Sequence, residues 1–224
     1  MDQINTIYIA GIRIDEPIVT ITDLLVSFLC FLFAYKLFRS GKSERVFTYF
    51  KIYFLVMGIA TALGGLIGHA FLYNFSFYWK LPGWITSMIS IMFVERAAIE
   101  HTRIQLAPKI VKVLGVINII EFLTFLTLTI VTLEFFYVEF HSGYGLMFVV
   151  LSLEGFLFIK TRTKASGLLL IGVFFAAVAA LFFMNKISPH PWFNYLSLSH
   201  VMMAVAALFF YLGARRIDMS EARG

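Results

Sequence analysis

Six ionisable side chains sit inside stretches of sequence otherwise too apolar to hold them: Asp23, His69, Glu95, Glu121, Glu154 and His200. Histidine and carboxylate are the groups that bind divalent metals, relay protons or tie helices together. In a bilayer each costs about 2.5–3.5 kcal/mol on insertion scales, so each needs a partner or a cavity. At 1.5 Å of rise per residue, Asp23, His69 and His200 lie roughly 6–12 Å below the outer ends of the first, second and seventh apolar blocks. Helical faces sharpen the grouping. Thr20, Asp23 and Ser27 share one face, Asn194, Ser197 and His200 form a polar stripe, and Gly58, Ala62 and Gly65 lie on the side of His69. Such small residues let a neighbouring backbone approach closely. If the three helices are neighbours, the stripes converge.

Three chemistries fit that convergence. Asp23 accepts hydrogen bonds from the histidines and simply ties helices; or the histidines bind a metal with Asp23 as ligand or partner; or the pocket holds a small ligand or relays protons. His190, in Pro189-His190-Pro191, lies ten residues before His200, about 15 Å along a helix, and joins a metal site only if its loop folds back. His101 and His141 fall at predicted membrane edges and read as interfacial. Glu95-Arg96 with Glu100 and Arg103 reads as solvated charge pairing at a helix end.

The elements that must position these groups are membrane helices. The chain has 224 residues, 60% hydrophobic, with 14% charged and a mean hydropathy of +0.87. Soluble domains carry about 25% charge. The spacing predicts a single all-α integral membrane domain over 1–224 with seven transmembrane helices. They run Ile18 to Phe38, Phe50 to Tyr73, Gly83 to His101, Ile110 to Leu133, Gly143 to Ile159, Ser166 to Met184, and Trp192 to Gly213. Of the 18 basic residues, 15 fall in connections one, three and five with their flanks and in the tail 214–224, leaving Arg13, Lys80 and Lys186 on the other side. The positive-inside rule then sets the N-terminus outside and the C-terminus in the cytoplasm. Residues 1–17 form a short external segment, and alternation through Ile7, Ile9, Ile12 and Ile14 around Ala10-Gly11 suggests a hairpin. Asp2 and the lack of a basic leader argue against a cleavable signal peptide. The net charge of +5 sits in loops, so it orients helices rather than binding nucleic acid. Cys30, the one cysteine, reads as packing.

Seven helices, a histidine on helix two after small residues (Gly64-Gly65-Leu66-Ile67-Gly68-His69) and one on helix seven (Ser197-Leu198-Ser199-His200) resemble the CREST superfamily. That group includes alkaline ceramidases and the progestin and adipoQ receptors. The resemblance implies a zinc site with His69 and His200 as ligands, completed by Asp23 or His190, and hydrolysis of a lipid amide or related bond. The sequence departs from the pattern: Gly65 replaces the helix-two serine, and the second helix-seven histidine would stand at Leu196 or Ala204. The expectation is a metal-assisted hydrolase of a lipid-like amide or ester, with zinc as cofactor, Asp23 as catalytic residue and the bilayer as partner. A small-ligand receptor or sensor and a haem-binding electron carrier are the alternatives. A bacterial cytoplasmic membrane is the expected location.

Overall fold

Prolines open three of the helices, because a first turn has no use for the missing N–H. Pro17, Pro82 and Pro108 all occupy the first or second helical position. The computed structural model describes residues 4–219, so Asp2 and Arg223 lie outside the described residues. It contains a two-stranded hairpin and seven long helical rods: α1 (Pro17–Arg39), α2 (Arg45–Ala70), α3 (Leu81–Thr102), α4 (Pro108–Thr132), α5 (Phe136–Thr161), α6 (Lys164–Met184) and α7 (Tyr195–Arg216). All but α3 are long and apolar enough to cross a membrane, which makes the chain an integral membrane protein. α3 carries Glu95, Arg96 and Glu100, and it turns much of its surface inward instead of to lipid.

Six rods close a ring in the order α1, α2, α3, α5, α6, α7 and back to α1, while α4 packs outside against α3 and α5. The peripheral place of α4 explains why it buries only Asn118, Phe122 and Thr129 and exposes Ile110, Val113, Ile117, Ile120 and Leu123. Such an apolar face is stable only against lipid or another protein. Phe33, Phe54, Phe210 and Tyr211 fill the ring, with Phe33 stacked on Tyr211 at 4.4 Å between centroids.

Three of the expected helix limits shift, the second helix starting at Arg45 instead of Phe50 because the chain is extended only up to Glu44. The fifth begins at Phe136, seven residues before Gly143, because Leu133 takes a left-handed conformation (φ 57°) that turns the chain back within three residues. The seventh begins at Tyr195 instead of Trp192, since the Asn194 side chain caps it by accepting from the Leu196 and Ser197 amides. Two segments widen into π-helix: Gly64–Ala70 at the end of α2 and Tyr144–Val150 within α5. Each lies beside a cluster of buried charge, as such widened turns frequently do at functional sites.

The expected hairpin is present. Strands β1 (Thr6–Ile9) and β2 (Ile12–Asp15) pair antiparallel with Thr6 opposite Asp15. Ala10 (φ 49°) and Gly11 (φ 80°) make the two-residue turn, whose positive φ values match the strands' twist. The hairpin is strapped to two loops. Tyr73 Oη donates to the Arg13 carbonyl at 2.9 Å under the Arg13 guanidinium, and Asn5 Nδ2 donates to the Pro191 carbonyl at 2.6 Å. Burial alone would raise the Asp15 carboxyl, but hydrogen bonds from Arg13 and Thr6 outweigh it and hold its pKa below the ordinary value. A depressed carboxylate stabilises the fold above its unfolded pKa of about 3.9, and that contribution is lost as pH falls through the folded value. Amide exchange in residues 6–15 should therefore be flat from pH 5 to 8, after correction for intrinsic rates, and accelerate below about pH 4. Asp15→Asn should remove that step.

Candidate functional site

The α1–α2 and α1–α7 contacts bring Asp23, His69 and His200 together at the hairpin end of the ring. Small residues make the approach possible. A Cβ on Gly65 would stand 3.0 Å from Asp23 Cβ and 3.2 Å from the Thr20 carbonyl oxygen, so only glycine lets α1 lie this close. Thr20 Oγ1 donates to the Gly65 carbonyl at 3.3 Å and Ser27 Oγ to the Gly58 carbonyl at 2.8 Å. Asp23 is buried, and its Oδ1 lies 3.4 Å from His200 Nε2 while its Oδ2 lies 3.9 Å from His69 Nε2. The two imidazoles stand edge-on with centroids 6.2 Å apart.

Both rings are fixed from behind. His69 Nδ1 lies 2.7 Å from Glu16 Oε2, and a carboxylate only accepts, so Nδ1 carries the hydrogen. His200 Nδ1 lies 3.2 Å from Thr22 Oγ1, a hydroxyl that also reaches the Val19 and Ile18 carbonyls. The Nε2 atoms of both rings face the same carboxylate. At 3.4 and 3.9 Å these are too long for good hydrogen bonds. Positive charge between these groups, a proton or a metal ion, satisfies that arrangement. Glu16 was absent from the sequence-based set. It sits at the N-cap of α1 in a left-handed conformation (φ 45°), held by its amide donating to the Asn5 carbonyl at 2.8 Å, a strain of the kind that clusters at working sites. A crevice lined by Asn5, Glu16, Trp192 and Asn194 lies at the mouth.

His190 does not join the three. It is exposed in the loop before α7, where its Nδ1 accepts from the Trp192 amide at 3.1 Å, because the Pro189/Pro191 segment holds the loop away from the ring interior. The interfacial reading of His101 and His141 is corrected as well. Both are fully buried, His101 against Glu154 (Nδ1 to Oε1 2.9 Å) and His141 against Glu121 (Nδ1 to Oε1 2.7 Å). The earlier start of α5 carries His141 into the bundle. Glu95, expected to be solvated, is completely buried on the face of α3 that also carries Met88, Ile91, Ala98 and Thr102. Only Glu100 and Arg103 form the expected surface pair.

Fold and site thus define a polytopic helical membrane protein with buried histidine–carboxylate clusters. Residues 18–219 match a family of unknown function (DUF6962), and the chain belongs to that family. Among curated proteins none matches it.

Proposed function

We propose that Asp23, His69 and His200 hold a divalent metal ion, zinc by their chemistry, and that the protein is a metal-assisted membrane hydrolase of a lipid-like amide or ester. The observation that carries this reading is the pair of Nε2 atoms facing one buried carboxylate, with Nδ1 of each ring contacted from behind by Glu16 and Thr22. Metal-binding histidines are oriented in this way by their second nitrogen. The donor set therefore fits the ion: two imidazoles and a carboxylate, with no fourth protein ligand, is the pattern of a catalytic site that keeps one position open. A bound ion of this kind polarises a carbonyl and lowers the pKa of water near it. Glu16 holds His69 in its tautomer, Thr22 contacts Nδ1 of His200, and Asp23 balances the charge. The carboxylate lying within 4 Å of both Nε2 atoms favours an ion over a haem between the rings.

The orientation belongs to the same proposal. The basic ends of the rods face the cytoplasm and the hairpin end faces outward, in keeping with the split of Lys and Arg. Exposed Tyr73, Tyr78, Trp79 and Trp192 at the hairpin end suit the depth of lipid headgroups. A substrate with an acyl chain in the outer leaflet would present its polar link at the level of His69.

The test is elemental analysis of purified protein together with hydrolysis of N-acyl and O-acyl lipids in nanodiscs. Zinc should be present, and His69→Ala and His200→Ala should each lose about one bound zinc per chain and abolish cleavage. Full retention in both variants refutes the ligand assignment. Zinc without cleavage of either lipid class refutes the hydrolase and leaves a ligand-binding receptor.

A further inference from the structure

A second group of carboxylates and histidine lies near the middle of the bundle, on α3, α4 and α5. Glu95, Glu121 and His141 each offer a ligand atom, and those atoms lie within 4.8 Å of one another. The group is deeply buried: Glu95 and His141 expose nothing, Asn118 exposes 2%, and the Glu121 side chain 8%. Among the described residues, the buried side-chain atoms without a hydrogen-bond partner are Glu95 Oε1, Asn118 Oδ1 and Glu121 Oε2. All three belong to this one cluster, and all three are acceptors.

The orientation of each group is set by its other contacts. Asn118 Nδ2 donates to Glu95 Oε2 at 3.0 Å and to the Met92 carbonyl at 3.4 Å, both acceptors, so its oxygen must be the free atom. His141 Nε2 lies 3.0 Å from the Met88 carbonyl oxygen and must donate to it, which leaves Nδ1 as the nitrogen facing the carboxylates. Backbone is shaped to the cluster too. A Cβ on Gly145, in the π-helical segment of α5, would stand 2.5 Å from Glu95 Oε1 and 2.6 Å from Ile91 Cγ2. Glycine leaves that oxygen its room.

The charges do not balance. Two carboxyl groups face one imidazole, in a place where water is scarce, and without a cation at least one of them must hold a proton. A single shared proton satisfies one of three open acceptors, whereas a cation contacts several oxygens at once. We infer that Glu95, Glu121, His141 and Asn118 form a second, mid-membrane site for a divalent first-row metal cation, separate from the site at the hairpin end. Two carboxylates, an amide oxygen and an imidazole nitrogen suit Mn2+, Fe2+ or Zn2+.

Full-length protein in nanodiscs, stripped with EDTA, would be titrated with Mn2+ alone, free ion being read by its EPR signal. A variant lacking both His69 and His200 should still bind about one Mn2+ per chain. On that background, Glu121→Gln and His141→Gln should each weaken binding by on the order of tenfold or more. Asn118→Asp supplies a further anionic oxygen and should tighten it, a gain that a misfolded protein cannot show. Absence of Mn2+ binding in the variant lacking both histidines overturns the inference and leaves the hairpin-end site standing. Binding that is indifferent to both Glu121→Gln and Asn118→Asp overturns it equally. If removing His69 and His200 costs no bound ion at all, the hairpin-end reading falls alone.

Discussion

Replacing Glu154 by alanine should cost about 3–5 kcal/mol, the penalty of stranding one member of a buried charged pair. His101 Nδ1 contacts both Glu154 oxygens, at 2.9 and 3.1 Å, and neither side chain exposes more than 1%. The pair joins α3 to α5, so its loss leaves an imidazole without its acceptor between two packed helices. Thermal unfolding in detergent measures the effect. Glu154→Gln keeps an oxygen acceptor and should lose only about 1–3 kcal/mol. The double change His101→Leu with Glu154→Leu should regain most of the stability, because burying two apolar side chains avoids the desolvation that the charged pair must offset. A single-variant penalty below about 1 kcal/mol would remove the pair from the list of what holds α3 in place.

Gly65→Ala should disable the hairpin-end site without replacing any of its ligands. The new methyl meets Asp23 Cβ at 3.0 Å and the Thr20 carbonyl oxygen at 3.2 Å, and neither is the free end of a flexible chain. α1 must move away from α2, with about 1–3 kcal/mol of overpacking strain and with Asp23 drawn off His69. Zinc retention should fall by on the order of tenfold. Gly68→Ala is the matched control. It lies in the same π-helical segment, a Cβ there meets nothing within 4 Å, and stability and zinc content should hold. Equal behaviour of the two variants would show that close approach at Gly65 is not what seats Asp23.

Much of this architecture was legible because lipid imposes simple rules. Every backbone group in the bilayer must bond within its own helix, so apolar length alone marks the rods, and prolines mark their starts. The seven rods and the hairpin around Ala10-Gly11 follow from that reading; helical periodicity put Asp23, His69 and His200 on faces able to meet, and the adjacency of α1, α2 and α7 is what the structure adds. Glu16 was hidden because its role depends on a left-handed backbone that no spacing announces. Glu95 was misread because Arg96 beside it suggested solvent. The better signal was its seven-residue spacing from Met88 and Thr102, two positions that expose nothing. His141 was misplaced because the sharp turn at Leu133 carries no glycine, and the start of α5 was set too late. Residue types announced chemistry; backbone conformation decided where it landed.

The closing of the ring by α1 against α7 has a consequence for biogenesis. α1, which carries Asp23, is made before α7, whose His200 follows some 180 residues later. Until α7 enters, α6 has no partner for Gly172, which is shaped to the Phe210 ring, and Asp23 lacks one of its two imidazoles. The hairpin-end cluster is thus completed only when α7 packs, and chains truncated before Tyr195 would carry an acidic group that lacks its second imidazole.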